Sequence, residues 1–98
     1  MESILCSAIW YKDVHPRAVH RPINTPGGVV VCGFRHGHCI SQIVPLTGER
    51  MFKLGDHIQG FLTNKNRFVD RVEGGKIWVA QGNELKYSKD ELYSEDLY

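Results

Sequence analysis

Two short apolar runs near the start of the chain have the composition of buried β-strands. The run Ile4–Tyr11 combines β-branched and aromatic residues and is too short for an independent helix, so it predicts a strand. The run Val29–Gly33 begins with three successive valines, which favour an extended backbone. Its continuous apolar character predicts burial on both faces.

After Gly33 the pattern changes from a strand to a helix. A polar turn, Gly33–Cys39, is followed by apolar residues at helical spacing, and Pro45 and Gly48 are expected to stop this helix after about two turns. The apolar stripe consists of Cys39, Ile40, Ile43 and Val44.

Residues 57–69 predict a β-hairpin whose three-residue loop is Asn64–Asn66.

The sequence of the next segment, 70–82, is consistent with two structures. Asp70 followed by Glu73 is typical of a helix start, whereas Gly74-Gly75 is equally consistent with a turn that leads into a strand.

Two further segments have distinct compositions. Residues 13–28 contain three prolines, which exclude a regular helix and indicate an extended arm or loop. The acidic tail, 92–98, contains two Leu-Tyr pairs, so we expect it to dock on the domain or on a partner chain. Together the elements predict a single α+β domain over residues 1–98, with a small antiparallel sheet and two short helices.

Composition narrows the function classes. The 98 residues suit one small core, and no apolar stretch approaches the roughly 20 residues of a membrane span. The net charge of +1 argues against stable nucleic-acid binding, but residues 1–71 carry +4 and residues 72–98 carry −3. An odd set of three cysteines without a CxxC pair predicts reduced thiols and a cytoplasmic location.

Arg35–Cys39 is the densest group of chemically active side chains, and four interpretations compete for it. Its histidines and cysteine could bind zinc, although nothing fixes a second ligand pair. Cys39 could act as a nucleophile, but no oxyanion motif is visible. The turn could place Arg35 and His36 beside the N-terminus of a short helix and so bind a phosphate, or it could be a capping turn with surface histidines.

The hairpin offers a second polar group. Gln59, Asn66 and Arg67 are donors suited to bases, riboses and phosphates, although the same residues are ordinary turn and strand formers. No motif for nucleotide hydrolysis, dinucleotide binding or metalloprotease activity is present, and we expect neither enzymatic activity nor a cofactor or metal ion.

Three segments together carry a resemblance to a known family. They are Gly33–Cys39 after the valine-rich strand, the hairpin Ile58–Arg71, and the ending Leu92–Tyr98. In this combination the chain resembles the first type of Thoeris anti-defence sponges, small phage and prophage proteins that sequester cyclic ADP-ribose immune signals without cleaving them. Some members also hold cyclic oligonucleotides, and they assemble as dimers and hexamers.

The resemblance implies a ligand site and a partner class for this chain. It implies a homo-oligomer (dimer or hexamer) that binds a cyclic ADP-ribose isomer or a cyclic oligonucleotide in a bacterial host cell. The sequence departs from the family pattern at Glu73–Trp78, where the pattern has an alanine-rich helix, so the resemblance assigns no ligand contacts to that segment. The implied ligand-binding residues are Arg35, His36, Phe61, Asn66, Arg67 and Arg71.

The hypothesis from sequence is therefore a phage anti-defence sponge. Its rival is a small zinc-binding or nucleic-acid-binding phage accessory protein, and a structural interaction module that uses the acidic tail is a third alternative.

Overall fold

The computed structural model describes residues 1–14, 21–49 and 53–98. In these residues four strands form one antiparallel sheet in the order β2-β1-β3-β4. Helix α1 lies between β2 and β3 along the chain, and helices α2 and α3 follow β4. This confirms the predicted single α+β domain with an antiparallel sheet. The elements are β1 (Ile4–Tyr11), β2 (Val29–Gly33), α1 (His36–Thr47), β3 (His57–Thr63), β4 (Phe68–Asp70), α2 (Arg71–Ala80) and α3 (Ser94–Leu97).

One face of the sheet is covered by the helices, where two apolar clusters form the core. Around α1, Cys39 and Ile43 pack on strand residues that share a face, namely Ile9, Tyr11 and Val31. Around α2, Ile77 and the tail residue Leu92 pack on Ile4, Phe61 and Val69. A shift of register between Ile4 and Cys6 turns Ile4 toward this second cluster.

Residues 21–28 cover part of the opposite face without forming a helix or strand. The Asn24 side chain bonds both the backbone N–H and the carbonyl of Phe68, and Trp10 donates its indole N–H to the Gly27 carbonyl over 2.9 Å. The expected extended segment thus lies along the sheet over 21–28. Its basic residues His15, Arg17 and His20 lie outside the described residues.

Helix α1 is longer than the sequence pattern predicted. It begins at His36 and continues past Pro45, because a proline in the last turn removes only one hydrogen bond. Gly48 ends it as expected: its φ of 78° is left-handed, and its N–H reaches the Val44 carbonyl at 2.7 Å.

Segment 71–80 is a helix, which resolves the ambiguity in the sequence. The Asp70 carboxylate accepts the Glu73 N–H at 2.8 Å and so caps α2. The two glycines are required by close packing: a Cβ on Gly74 would lie 3.0 Å from the Phe61 ring, and one on Gly75 would lie 2.6 Å from the Asp90 carbonyl oxygen.

Candidate functional site

Four separate parts of the chain, one of them Gln59 on β3, meet at a cavity of about 360 Å³ beside the start of α1. This volume lies within the range of small-ligand sites. The first turn of α1 follows β2 directly, Arg71 is the first residue of α2, and the turn into α3 closes the third side. The lining residues are Arg35, His36, Gly37, His38, Gln59, Arg71, Tyr93, Ser94 and Glu95.

The Arg71 guanidinium is held in the cavity by neutral partners. It donates to the Gln59 side-chain oxygen at 2.6 Å and to the Leu92 carbonyl at 3.1 Å, and its carbon lies 4.6 Å above the Tyr93 ring. Among the residues that the structure describes, no carboxylate lies within salt-bridge distance of it. The positive charge of Arg71 is therefore fixed in place and not neutralised.

Arg35 lies on the opposite wall and is only weakly paired. Its guanidinium is 3.6 Å from the Glu95 carboxylate and 3.3 Å from the main-chain oxygen of Tyr98. Because the ion pair is long and solvent-exposed, it contributes little free energy, and a bound anion can compete for the arginine.

His36 forms the floor of the cavity. Its Nε2 donates to the Gly60 carbonyl at 2.8 Å, and its ring meets the buried Phe61 ring edge to face at 5.1 Å. Burial lowers the pKa of His36, and the positive charge of Arg71 lowers that pKa further. The lowered pKa favours the neutral imidazole, and the hydrogen bond to Gly60 on β3 sets the orientation of the ring.

The start of α1 adds main-chain donors to the two arginines. The His38 ring accepts the Arg35 backbone N–H at 3.1 Å, which fixes the entry to the helix. The first amide N–H groups of a helix have no partner within the helix, and the helix dipole favours negative charge at this end. The cavity therefore combines two guanidinium groups with a helix N-terminus, and this set suits a phosphate or pyrophosphate.

The predicted ligand residues are distributed over two regions of the molecule. Arg35, His36 and Arg71 line the cavity, and Phe61 supports His36 from beneath. Arg67 lies elsewhere and is engaged by Glu2 at 2.8 Å, while Asn66 lines a smaller opening of about 180 Å³. The ligand roles of Asn66 and Arg67 remain predictions that follow from the resemblance.

Sequence reasoning missed the wall formed by Tyr93, Ser94 and Glu95. The repeated Leu-Tyr pattern predicted that the tail docks, but it carried no information about where. The tail packs on its own domain through the fully buried Leu92, and the Tyr98 ring stacks on Phe34 with 3.8 Å between ring centres. Docking brings Glu95 and the Tyr93 ring to the two arginines.

The residues considered as zinc ligands do not converge. Over residues 1–14, 21–49 and 53–98, no three His, Cys, Asp or Glu side chains are grouped as metal ligands would be. Each candidate has another partner: His36 bonds Gly60, His38 bonds Arg35, and the Cys39 thiol contacts the Ser7 carbonyl at 3.6 Å.

Comparison with known families provides the classification. The model of the family described as "Phage T4 y16D protein" matches residues 3–98. The chain belongs to this family of phage proteins. No curated protein and no solved structure matches it. Within the described part of this member of the T4 y16D family, no helix is long and apolar enough to cross a membrane.

Proposed function

We propose that this phage protein is an anti-defence sponge that binds a cyclic ADP-ribose-type signal in the cavity beside α1 and holds it without cleavage. One observation carries the proposal: Arg35 and Arg71, which are far apart in sequence, line one cavity with the first turn of α1, and Arg71 lacks a carboxylate partner among the described residues. Such a site favours a ligand with clustered negative charge.

The polar groups of the cavity match the parts of such a ligand. The two guanidinium groups and the α1 N-terminus suit the pyrophosphate, since arginine binds phosphate oxygens with paired N–H donors. The amide of Gln59 and the hydroxyl of Ser94 suit ribose hydroxyl groups. The Tyr93 ring provides aromatic surface for a base.

Retention without cleavage is the second part of the proposal. Two groups of the cavity that could take part in catalysis bond its own walls: Ser94 donates to Glu95 at 2.8 Å, and His36 donates to the Gly60 carbonyl. We therefore expect the protein to release the same molecule that it bound. A cyclic oligonucleotide presents the same phosphate chemistry and is the alternative ligand.

The test is a calorimetric titration of the full chain with cyclic ADP-ribose isomers and cyclic dinucleotides. We expect saturable binding of at least one of them, and chromatography after heat denaturation should recover the ligand unchanged. Absence of binding to every probe would refute the site, and a cleaved product would show an enzyme instead.

Arginine variants test which residues hold the ligand. Arg71→Ala and Arg35→Ala should each weaken binding by about 1.5–3 kcal/mol if they contact phosphate. Arg71→Lys keeps the charge but loses the forked donor geometry, so its affinity should fall between those of the wild type and Arg71→Ala. Lys65→Ala, in the exposed hairpin loop, is the matched control and should bind as the wild type does. Equal affinities for all four variants would contradict the assignment.

Assembly is also part of the proposal, because the resemblance implies a dimer or hexamer. Light scattering measures the mass of the particle with and without ligand. Asn66→Ala distinguishes two arrangements: a site within one chain predicts unchanged affinity, whereas weaker binding would place Asn66 of a second copy at the ligand.

A further inference from the structure

Two of the three cysteines are neighbours on the sheet face opposite the helices. Ala8 of β1 pairs with Cys32 of β2, so Cys6, two residues before Ala8, is the diagonal neighbour of Cys32 on the same face. The two thiols lie close enough to influence each other's pKa.

Neither residue of the pair is fully buried. Cys6 and Cys32 are partly exposed, and Cys32 lines the opening of about 180 Å³ between residues 21–22 and the sheet. The third cysteine differs, because Cys39 is fully buried in the core on the helix side. The partly exposed pair Cys6 and Cys32 is therefore open to reaction, whereas Cys39 has a structural role in the core.

The influence of each thiol on the other makes the two sulfur atoms chemically unequal. The Cys32 thiol donates to the Cys6 sulfur, which stabilises the Cys6 thiolate and lowers the pKa of Cys6. The same bond raises the pKa of Cys32, which keeps its proton. We therefore assign the first reaction step to Cys6 and the second to Cys32.

We propose that Cys6 and Cys32 form a reversible disulfide within one chain when the protein meets a hydroperoxide. The Cys6 thiolate attacks one peroxide oxygen, the O–O bond breaks, and Cys6 becomes a sulfenic acid as hydroxide leaves. The Cys32 sulfur then attacks the Cys6 sulfur, the S–O bond breaks, and water leaves with the Cys32 proton. Overall, two thiols lose two electrons, and hydrogen peroxide is reduced to two molecules of water.

The sheet permits this bond because β2 is an edge strand. Diagonal neighbours are about 7–8 Å apart between Cα atoms, whereas disulfides usually span about 4.4–6.8 Å. Closing the bond requires β2 to move toward β1 by about 1 Å. Within the part of the chain that the structure describes, no further strand lies beyond β2 in the sheet. We expect a bond formed in this way to be reduced readily by dithiothreitol.

Mass spectrometry of the full chain tests the proposal. Reduced protein treated with hydrogen peroxide should lose two hydrogens per chain and regain them with dithiothreitol. Trypsin separates the three cysteines, since Cys6 lies in the peptide that ends at Lys12, Cys32 in the one that ends at Arg35, and Cys39 in the one that begins at His36. We expect the first two peptides to be linked.

Cysteine variants and a denatured control test whether the fold selects the Cys6–Cys32 bond or whether any two cysteines react. Cys32→Ser should block the bond and leave Cys6 as a sulfenic acid that dimedone traps, whereas Cys39→Ala should form the bond as the wild type does. Oxidation in urea should give a mixture of pairings, because only the fold selects Cys6 and Cys32. A link to Cys39, a link between chains only, or no loss of hydrogen from the native protein would overturn the proposal.

Discussion

At the scale of single residues, the environment of each arginine decides what it can do. Arg67 forms ion pairs with the carboxylates of Glu2 and Glu73, at 2.8 Å and 3.5 Å, and these pairs neutralise its charge. Arg71 is held by uncharged oxygens of Gln59 and Leu92. The sequence shows two arginines in one polar segment, and only the tertiary structure distinguishes the neutralised one from the one directed at a cavity.

Glu95 provides a test of the charge of the cavity. It is the carboxylate that lines the cavity and faces Arg35, and hydrogen bonding by Ser94 lowers its pKa, so it is ionised at pH 7. Glu95→Gln should therefore tighten binding of an anionic nucleotide by about 0.2–1 kcal/mol, the usual strength of an exposed ion pair. Calorimetry at low and high salt measures the change.

The control for Glu95→Gln is Glu91→Gln, a change of the same size and charge outside the cavity lining. The gain of affinity should shrink as salt screens the charges. Unchanged or weaker binding by Glu95→Gln would show that the anion does not lie near Arg35.

At the scale of elements, the sequence predicted what local pattern controls. The valines of β2, the apolar run of β1, the turn at Asn66 with its left-handed φ of 57° and the stop at Gly48 are all decided by neighbouring residues. The choice between a helix and a strand for segment 70–82 could not be made from the sequence, because its helix depends on contacts with distant parts of the chain. Gly74 and Gly75 are tolerated in α2 where Phe61 and the Asp90 carbonyl come close, and no local pattern contains that information.

Gly75→Ala tests this close contact. The added Cβ would lie 2.6 Å from the Asp90 carbonyl oxygen, a backbone atom that cannot rotate away. Overpacking of this kind costs about 1–3 kcal/mol. The gain in helix propensity, about 1 kcal/mol, does not offset a clash with backbone. Urea unfolding should show a net loss of stability.

The matched control is Gly37→Ala in the first turn of α1, where an added Cβ meets nothing within 4 Å. Because no clash opposes it there, the higher helix propensity of alanine should stabilise the protein by about 0.5–1 kcal/mol. If both substitutions stabilise the protein, the close approach of α2 and Asp90 is wrong. Gly75→Ala should also weaken ligand binding, because the segment after Asp90 carries Tyr93 and Glu95 to the cavity.

At the scale of the whole molecule, the cavity exists only because distant segments meet. Arg35, Gln59, Arg71 and Tyr93 come from four parts of the chain, so composition and motifs could propose candidates but not select among them. The structure places the Arg35–Cys39 turn at the start of a helix, beside a cavity that Arg71 also lines, and its anion binding stays a prediction. The wall formed by the tail could not be predicted, because the place where the tail docks depends on the completed sheet and helices.

The chain start is tied to the hairpin by an ion pair that makes stability depend on pH. The Glu2 carboxylate accepts two hydrogen bonds from Arg67, at 2.8 and 2.9 Å, and a third from the Thr63 hydroxyl at 2.6 Å. The hydrogen bonds from Arg67 contribute most to lowering the pKa of Glu2, from 4.5 to about 2. A carboxylate with a lower pKa in the folded state stabilises the fold above its unfolded pKa, and this stabilisation disappears as the pH falls through the folded pKa.

We therefore expect Glu2→Gln to be less stable than the wild type at pH 5–7. The difference in the free energy of unfolding should shrink between pH 4.5 and about 2. Urea unfolding at several pH values measures both curves, and Glu84→Gln, an exposed carboxylate outside this network, should run parallel to the wild type. A difference that stays constant down to pH 2 would mean that Glu2 acts by packing and not by charge. A difference that vanishes only below pH 4.5 would show that Arg67 is engaged by Glu2 in solution, which leaves Arg35 and Arg71 as the arginines available to a ligand in the cavity.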